Sequence, residues 1–139
     1  LIEAYQNRLK HYIKFELEVI PDIKNVKNLS EVQQKEKEGA LILSKLQNTD
    51  KLVLLDDKGK HFTSIEFSQY LQKKMNAGIK QLVLVIGGPY GFSDVVYKKS
   101  IGKICLSQMT FSHQMIRLFV VEQLYRGFTI LKNEPYHHE

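Results

Sequence analysis

The stretch Gln81-Leu82-Val83-Leu84-Val85-Ile86-Gly87-Gly88-Pro89-Tyr90-Gly91 decides the fold. An unbroken apolar run of strand length, stopped by paired glycines, is the pattern of a strand covered on both faces, as in parallel sheets. Glycine at a strand end lets the backbone approach a ligand or adopt positive φ. Two phosphate-binding signatures are missing. Pro89 takes the place of the second glycine of the dinucleotide fingerprint, and no Gly-Lys-Ser/Thr follows to make a P-loop. A ligand without phosphate, held by backbone groups, suits this loop; a plain tight turn is the other reading.

Working outward, Lys51–Leu55 is a second apolar run and ends at the turn signal Asp56-Asp57-Lys58-Gly59, while Lys103–Leu106 is a third, brief strand. Between them the spacing predicts a helix over Ser64–Asn76, with Thr63 and Glu66 as capping box, Gly78 at its C-terminal end, and Ile65, Tyr70, Leu71 and Met75 as core positions. A short helix begins at Ser93 or Asp94, and a last helix runs from about Ser112 to Leu131. Upstream, Ser30 and Gln33 cap a helix reaching about Leu46, with Val32, Ala40, Leu43 and Leu46 on its apolar face. Phe15–Ile20 alternates apolar and acidic residues like a half-buried strand stopped by Pro21, and Asp22–Leu29 reads as a loop. Leu1, Ile2, Tyr5, Leu9, Tyr12 and Ile13 repeat at helical spacing from the first residue, so the sequence is expected to start inside an amphipathic helix with a preceding segment absent.

Strands alternating with helices give an α/β fold, a mainly parallel sheet with helices on both faces, in one domain over residues 1–139. Open parallel sheets bind ligands beyond the C-terminal ends of their strands. Three segments meet that rule: Leu55-Asp56, Gly87–Phe92 and Leu106–Phe111.

Composition sets the outer bounds. The 139 residues are 43% hydrophobic and 25% charged, which excludes disorder or low complexity as a description of the whole chain. No apolar run reaches the roughly 18–20 residues of a membrane span, and no signal peptide is visible. The single cysteine, Cys105, rules out an intrachain disulfide and points to a reducing, cytosolic compartment. The formal net charge of +5 is compatible with a nucleic-acid partner without demonstrating one.

The last helix is apolar around nearly its whole circumference, which requires burial on more than one side. Another subunit or a central position in the core would satisfy it. Glu122 and Arg126 stand four residues apart and pair on one face; Arg117 lies on another face, near the start of the helix. His113 opens the helix beside the expected pocket, with helix capping as its plainer role. His11 and His61 are isolated, and His137-His138 are too few for a metal site.

Four motifs in order carry a resemblance. Gly87-Gly88-Pro89-Tyr90-Gly91-Phe92, Leu106-Ser107-Gln108-Met109-Thr110-Phe111-Ser112-His113-Gln114, Glu122-Gln123-Leu124-Tyr125-Arg126 and Pro135-Tyr136-His137 together resemble the RlmH family, bacterial large-subunit rRNA pseudouridine N3-methyltransferases of the SPOUT superfamily. The likeness is strongest from about residue 81 onward and weaker through Leu55-Asp56 and Lys35–Gly39. It implies a SPOUT α/β knot, with a deep trefoil knot in about 81–139, and a first strand that this sequence lacks. It also implies S-adenosylmethionine as cofactor, on Leu55, Gly87, Leu106, Ser107, Gln108, Met109, Thr110 and Phe111, mostly through backbone groups. The implied substrate is N3 of a pseudouridine in helix 69 of 23S rRNA in assembled ribosomes, and the implied assembly is a cytoplasmic homodimer with its site near the interface.

The residues expected to carry the chemistry on that resemblance are His137 as base, His113 as the second candidate, and Tyr136 to stack on the substrate base or hold the tail. Arg117, Arg126 and His138 are the expected RNA contacts, with Lys98, Lys99, Lys103 and Lys132 as further cations. No metal is needed, because the methyl donor is already an activated sulfonium. Three positions depart from the family pattern: Ser112 for a proline, Gly127 for an alanine, and His138 for a cation. A flavodoxin-like flavin- or nucleotide-binding domain and a non-catalytic ribosome-associated factor are the rival classes.

Overall fold

The computed structural model describes residues 1–138. In chain order the elements are α1 (Ile2–Leu9), α2 (Glu31–Ser44), β1 (Lys51–His61), α3 (Ser64–Asn76), β2 (Leu82–Ile86), α4 (Asp94–Lys99), β3 (Gly102–Cys105) and α5 (His113–Leu131), with a single 3-10 turn at Val26–Asn28. The three strands form one parallel sheet in the order β2-β1-β3.

Strand alternation divides the core in two. Leu52 and Leu54 of β1 share a face with Val83 and Val85 of β2, and pack against Ile42 of α2 and Phe92 and Val96 around α4. Leu84 faces the opposite cluster, where Leu9 of α1, Leu71 of α3 and Val121, Leu124 and Phe128 of α5 meet. Helices thus cover both faces, as the alternation of elements requires. Leu52, Val53 and Leu54 are fully buried, each contributing roughly 1.5–3 kcal/mol by leaving water.

The helix ends follow their sequence signals. Ser30 with Gln33 and Thr63 with Glu66 form complete capping boxes, and Ser93 and Ser112 accept from Val96 and Met115 N–H to cap α4 and α5. Ser112 therefore performs as a cap where the family pattern has proline. Gly78 follows α3 with φ of +74°.

Several expectations are corrected. Phe15–Ile20 is not a strand: its alternation appears as burial, with Phe15 and Leu17 half-buried and Glu16 and Glu18 exposed, but no strand among the described residues pairs with it. Phe15 packs on the α5 cluster and Ile20 on the α2 cluster, so the segment carries the chain from one face of the sheet to the other. On α2, Val32 (58% exposed) and Ala40 face solvent; Gly39, Ile42, Leu43 and Leu46 form the buried face. Bare Gly39 lets α4 approach, since a Cβ there would stand 2.6 Å from Ser93 Oγ. On α3, Ser68 is buried where it meets Gly127 of α5, and Met75 is exposed. Strand β2, expected to be covered on both faces, is half-buried throughout because it lies at the sheet edge.

The largest departure is in β1. Asp56-Asp57-Lys58-Gly59 does not end the strand but bulges out of it: Leu55 and Lys60 both take Ile104 as ladder partner, and β1 continues to His61. The turn chemistry is real, with Lys58 N–H donating to Asp56 Oδ1 at 2.8 Å. Gly59 then lies against β3, where a Cβ would sit 2.6 Å from both the carbonyl carbon and the nitrogen of Ile104.

Candidate active site

The parallel register places the three expected segments at one end of the sheet. Leu55 pairs with Ile86 on one side and Ile104 on the other. Gly87 and Cys105-Leu106 therefore leave the sheet on either side of Leu55-Asp56. Below this end, the first turn of α3 and the middle of α5 wall a cleft of about 50 Å³, open to solvent and lined by Leu55, Phe62, Phe67, Leu106, Val120 and Gln123, among others. Leu55 and Leu106, both expected at the cofactor site, line it. Ser107–Phe111 continue from the Leu106 wall.

That loop is short of internal partners. Met109 N–H donates to Ser107 Oγ at 3.0 Å, and the Phe111 ring packs edge-on against Phe119 at 5.2 Å between centroids. The N–H groups of Gln108, Thr110 and Phe111 make no hydrogen bond among the described residues. Unpaired backbone donors beside an apolar cleft suit a ligand recognised by main-chain contacts. The glycine loop closes on itself, with Gly91 N–H donating to Gly88 O at 3.2 Å and Gly91 at φ +80°.

Near the cleft, the Asp56 carboxylate is held ionised by its neighbours. Burial alone would raise the Asp56 carboxyl, but hydrogen bonds from the Tyr97 hydroxyl and Lys58 N–H, with Asp57 and the Lys103 charge, hold it below its ordinary value. Burial, joined by the charges of Asp57 and Asp56, pushes the Cys105 thiol up, so this cleft residue stays neutral in the field of two carboxylates. An apolar slot beside free main-chain donors is a lining that an adenosyl compound such as S-adenosylmethionine would fit.

The tail forms a second cluster on the next face of α5. Glu122 Oε1 accepts from Arg126 Nε at 3.0 Å, Arg126 NH2 at 2.6 Å and the Tyr136 hydroxyl at 3.0 Å. The Arg126 guanidinium covers the Tyr136 ring at 4.8 Å, and Arg126 NH1 lies 3.0 Å from His137 Nδ1. Burial first, then hydrogen bonds with Tyr5 and Glu122, push the Tyr136 phenol far up. Beyond Glu122, its Oε2 accepts from Gln123 Nε2 at 3.1 Å, and Gln123 Oε1 accepts from Ser64 Oγ at 2.8 Å. Since Gln123 lines the cleft, a hydrogen-bond chain joins cleft wall to tail.

The structure thus gathers Tyr136, His137 and Arg126, and separately sets Leu55 and Leu106 on the cleft wall, while Gly87 and Ser107–Phe111 follow the adjacent strand ends outside its lining. No hydrogen bond or ring contact joins the tail to Leu106–Phe111 among the described residues. His113 is exposed at the first turn of α5, away from the tail, and Arg117 is half-buried. His138 is exposed. Arg126, expected to meet RNA, has its charge engaged by Glu122. Sequence reasoning weighed Glu122–Arg126 as an ordinary surface pair and passed over Gln123, Phe62 and Phe67. Two adjacent polar residues, Glu122-Gln123, inside an apolar helix were the available signal.

Comparison with known proteins agrees with this geometry. Residues 1–137 match the family described as "Predicted SPOUT methyltransferase". The chain is 75% identical over 139 residues to a protein named Ribosomal RNA large subunit methyltransferase H from Flavobacterium psychrophilum, covering 100% of this chain and 88% of that protein. Proteins of the same name from Flavobacterium johnsoniae and Parabacteroides distasonis are 72% and 70% identical, over 100% and 99% of this chain and 88% of each relative. The chain belongs to the SPOUT methyltransferase family, and within it to the RlmH group.

Proposed function

We propose that this protein transfers a methyl group from S-adenosylmethionine to N3 of a pseudouridine in helix 69 of 23S rRNA, acting on assembled ribosomes as a cytoplasmic homodimer. The observation that carries the reading is the row Leu55–Ile86–Ile104, which sets the β1 bulge beside the ends of β2 and β3. The names of the relatives, large-subunit rRNA methyltransferases, support the substrate class. In this reading the chain from about residue 81 onward, through the described tail, forms the trefoil-knotted part of the domain.

Leu55, Gly87 and Leu106–Phe111 hold the cofactor, which supplies a methyl group already activated on a sulfonium. The chain's own work is to exclude water with Leu55, Phe62, Phe67 and Leu106, and to keep the acceptor nitrogen at near-attack distance, roughly 3–3.5 Å. Tyr136 and His137 stand on the tail to meet the base, with His113 at the head of α5 as the other candidate group. Arg117 and His138, with Arg126 through donors that Glu122 leaves open, face the RNA backbone. The second subunit covers the first half of α5, where Met115 is 43% exposed and Ile116, Leu118 and Phe119 are half-buried. It thereby brings the tail of one protomer toward the cleft of its partner.

The test is methyl transfer to ribosomes that lack the modification, with the labelled nucleotide mapped. Incorporation at one pseudouridine of helix 69 is the expected result. Cofactor binding without any transfer to ribosomes would overturn the reading.

A further inference from the structure

His137 was expected to accept a proton, and its surroundings assign it the opposite part. Its Nδ1 lies 3.0 Å from Arg126 NH1. A guanidinium has donors only and stays charged at any pH a protein survives. The hydrogen bond between Glu122 and Arg126 strengthens that charge further. Nδ1 must then be the acceptor and carry no proton, which leaves the ring proton on Nε2. An imidazolium, or the Nδ1–H tautomer, would set two donors head to head across this contact. Nε2 itself is buried and has no hydrogen-bond partner among the described residues. A buried N–H without a partner is costly, and its vacancy calls for an acceptor brought from outside.

We propose that His137 is a hydrogen-bond donor to the substrate, not its general base, and that Arg126 is the positioning residue that fixes its tautomer. The proposal rests on the function given above. The acceptor it fits is a carbonyl oxygen flanking the imide nitrogen of the target pyrimidine. When the N3–H bond breaks, the proton leaves to water and its electron pair stays on the N3–C=O unit. A donor at that oxygen stabilises the resulting charge and so raises the share of N3 present as the reactive anion. Glu122 holds Arg126 against the ring through two hydrogen bonds, and Tyr136 covers the guanidinium, so the tail and α5 set the donor's direction together.

Two measurements on the full chain test this. Long-range proton–nitrogen correlation NMR on histidine-labelled protein reads the tautomer, with the His137 signals identified by their absence in His137→Gln. An Nε2–H tautomer is expected, and Arg126→Met should restore exchange between the two tautomers. An Nδ1–H pattern in the wild type would overturn the proposal. In the ribosome assay, His137→Gln keeps a donor but no basicity and should stay within about tenfold of wild type, while His137→Ala should lose about a hundredfold or more. Equal losses in the two variants would also overturn it. A wild type that transfers no methyl would strike the proposed function instead, leaving the NMR pattern to judge the proton's position.

Discussion

Replacing Gly59 by alanine tests the link between the β1 bulge and the cleft. The new Cβ would stand 2.6 Å from the carbonyl carbon and nitrogen of Ile104 and 2.7 Å from the carbonyl carbon of Lys103. Carbon contacts are optimal near 3.5–4.0 Å, so the methyl intrudes by about 1 Å. The atoms it meets are backbone, and no rotamer change can clear them. Overpacking of this kind costs about 1–3 kcal/mol, and a rigid neighbour puts Gly59→Ala near the upper end. Lower entropy of the unfolded alanine chain returns about 0.4–1 kcal/mol. A net loss of about 2 kcal/mol follows, a fall in Tm of roughly 4–8 °C for a domain of this size. Relief must come from parting β1 and β3 where Leu55 and Lys60 share Ile104, which shifts Leu106 at the cleft wall. S-adenosylmethionine affinity should fall in parallel. Urea and thermal melts at fixed protein concentration, with calorimetric titration of the cofactor, make the comparison. A Tm within 1 °C of wild type, with unchanged amide-exchange protection at Ile104 and Cys105, would refute the reasoning.

Other outcomes follow from the same contacts. Gly127→Ala should stabilise the protein by about 0.5–1 kcal/mol in urea melts: helix propensity favours alanine by about 1 kcal/mol, and the nearest atom, Leu71 Cδ1 at 3.0 Å, ends a side chain that can turn aside. A destabilised variant would show that Leu71 is locked. Tyr97→Phe should cost stability at neutral pH, with the gap to wild type shrinking as pH falls below the ordinary carboxylate value of 3.8. The Asp56 pKa is lowered in the fold, so its contribution is present above that value and lost as the carboxylate protonates. An equal gap at pH 7 and pH 3 would count against the Asp56–Tyr97 bond. In alkaline titration followed by phenolate absorbance, Tyr12 and Tyr97 should ionise only near pH 12, the first chiefly because of its hydrogen bond to Glu134 and the second chiefly because of burial. Stability from these raised groups is fully present below pH 10 and lost as pH rises toward 12. Glu122→Gln should destabilise by about 1–3 kcal/mol, because Arg126 loses its charged acceptor while less than a third of its side chain is exposed. The same change should move Tyr136 ionisation downward; an unmoved Tyr136 would count against the hydrogen bond that ties the tail to Glu122.

Much of this protein could be read along the chain because the signals are local. Side-chain caps at Ser30, Thr63, Ser93 and Ser112 satisfy the orphan N–H groups of their own helices, so four helix starts fall where the letters put them. An unbroken apolar run followed by glycine marks a strand end whatever its neighbours, and the crevice rule then points to Leu55, Gly87 and Leu106. Tertiary structure decided what depends on partners distant in sequence. Phe15–Ile20 has strand alternation, yet a strand exists only where another backbone completes its hydrogen bonds. Asp56–Gly59 has turn residues, and only β3 alongside makes them a bulge instead of an end. Glu122 and Arg126 look like one more i,i+4 pair until Tyr136 and His137 fold back onto them. Sequence thus set the periods and the caps, which are properties of consecutive residues. Register, bulge and tail latch, together with the direction in which His137 presents its proton, arise from contacts that exist only once the chain has closed on itself.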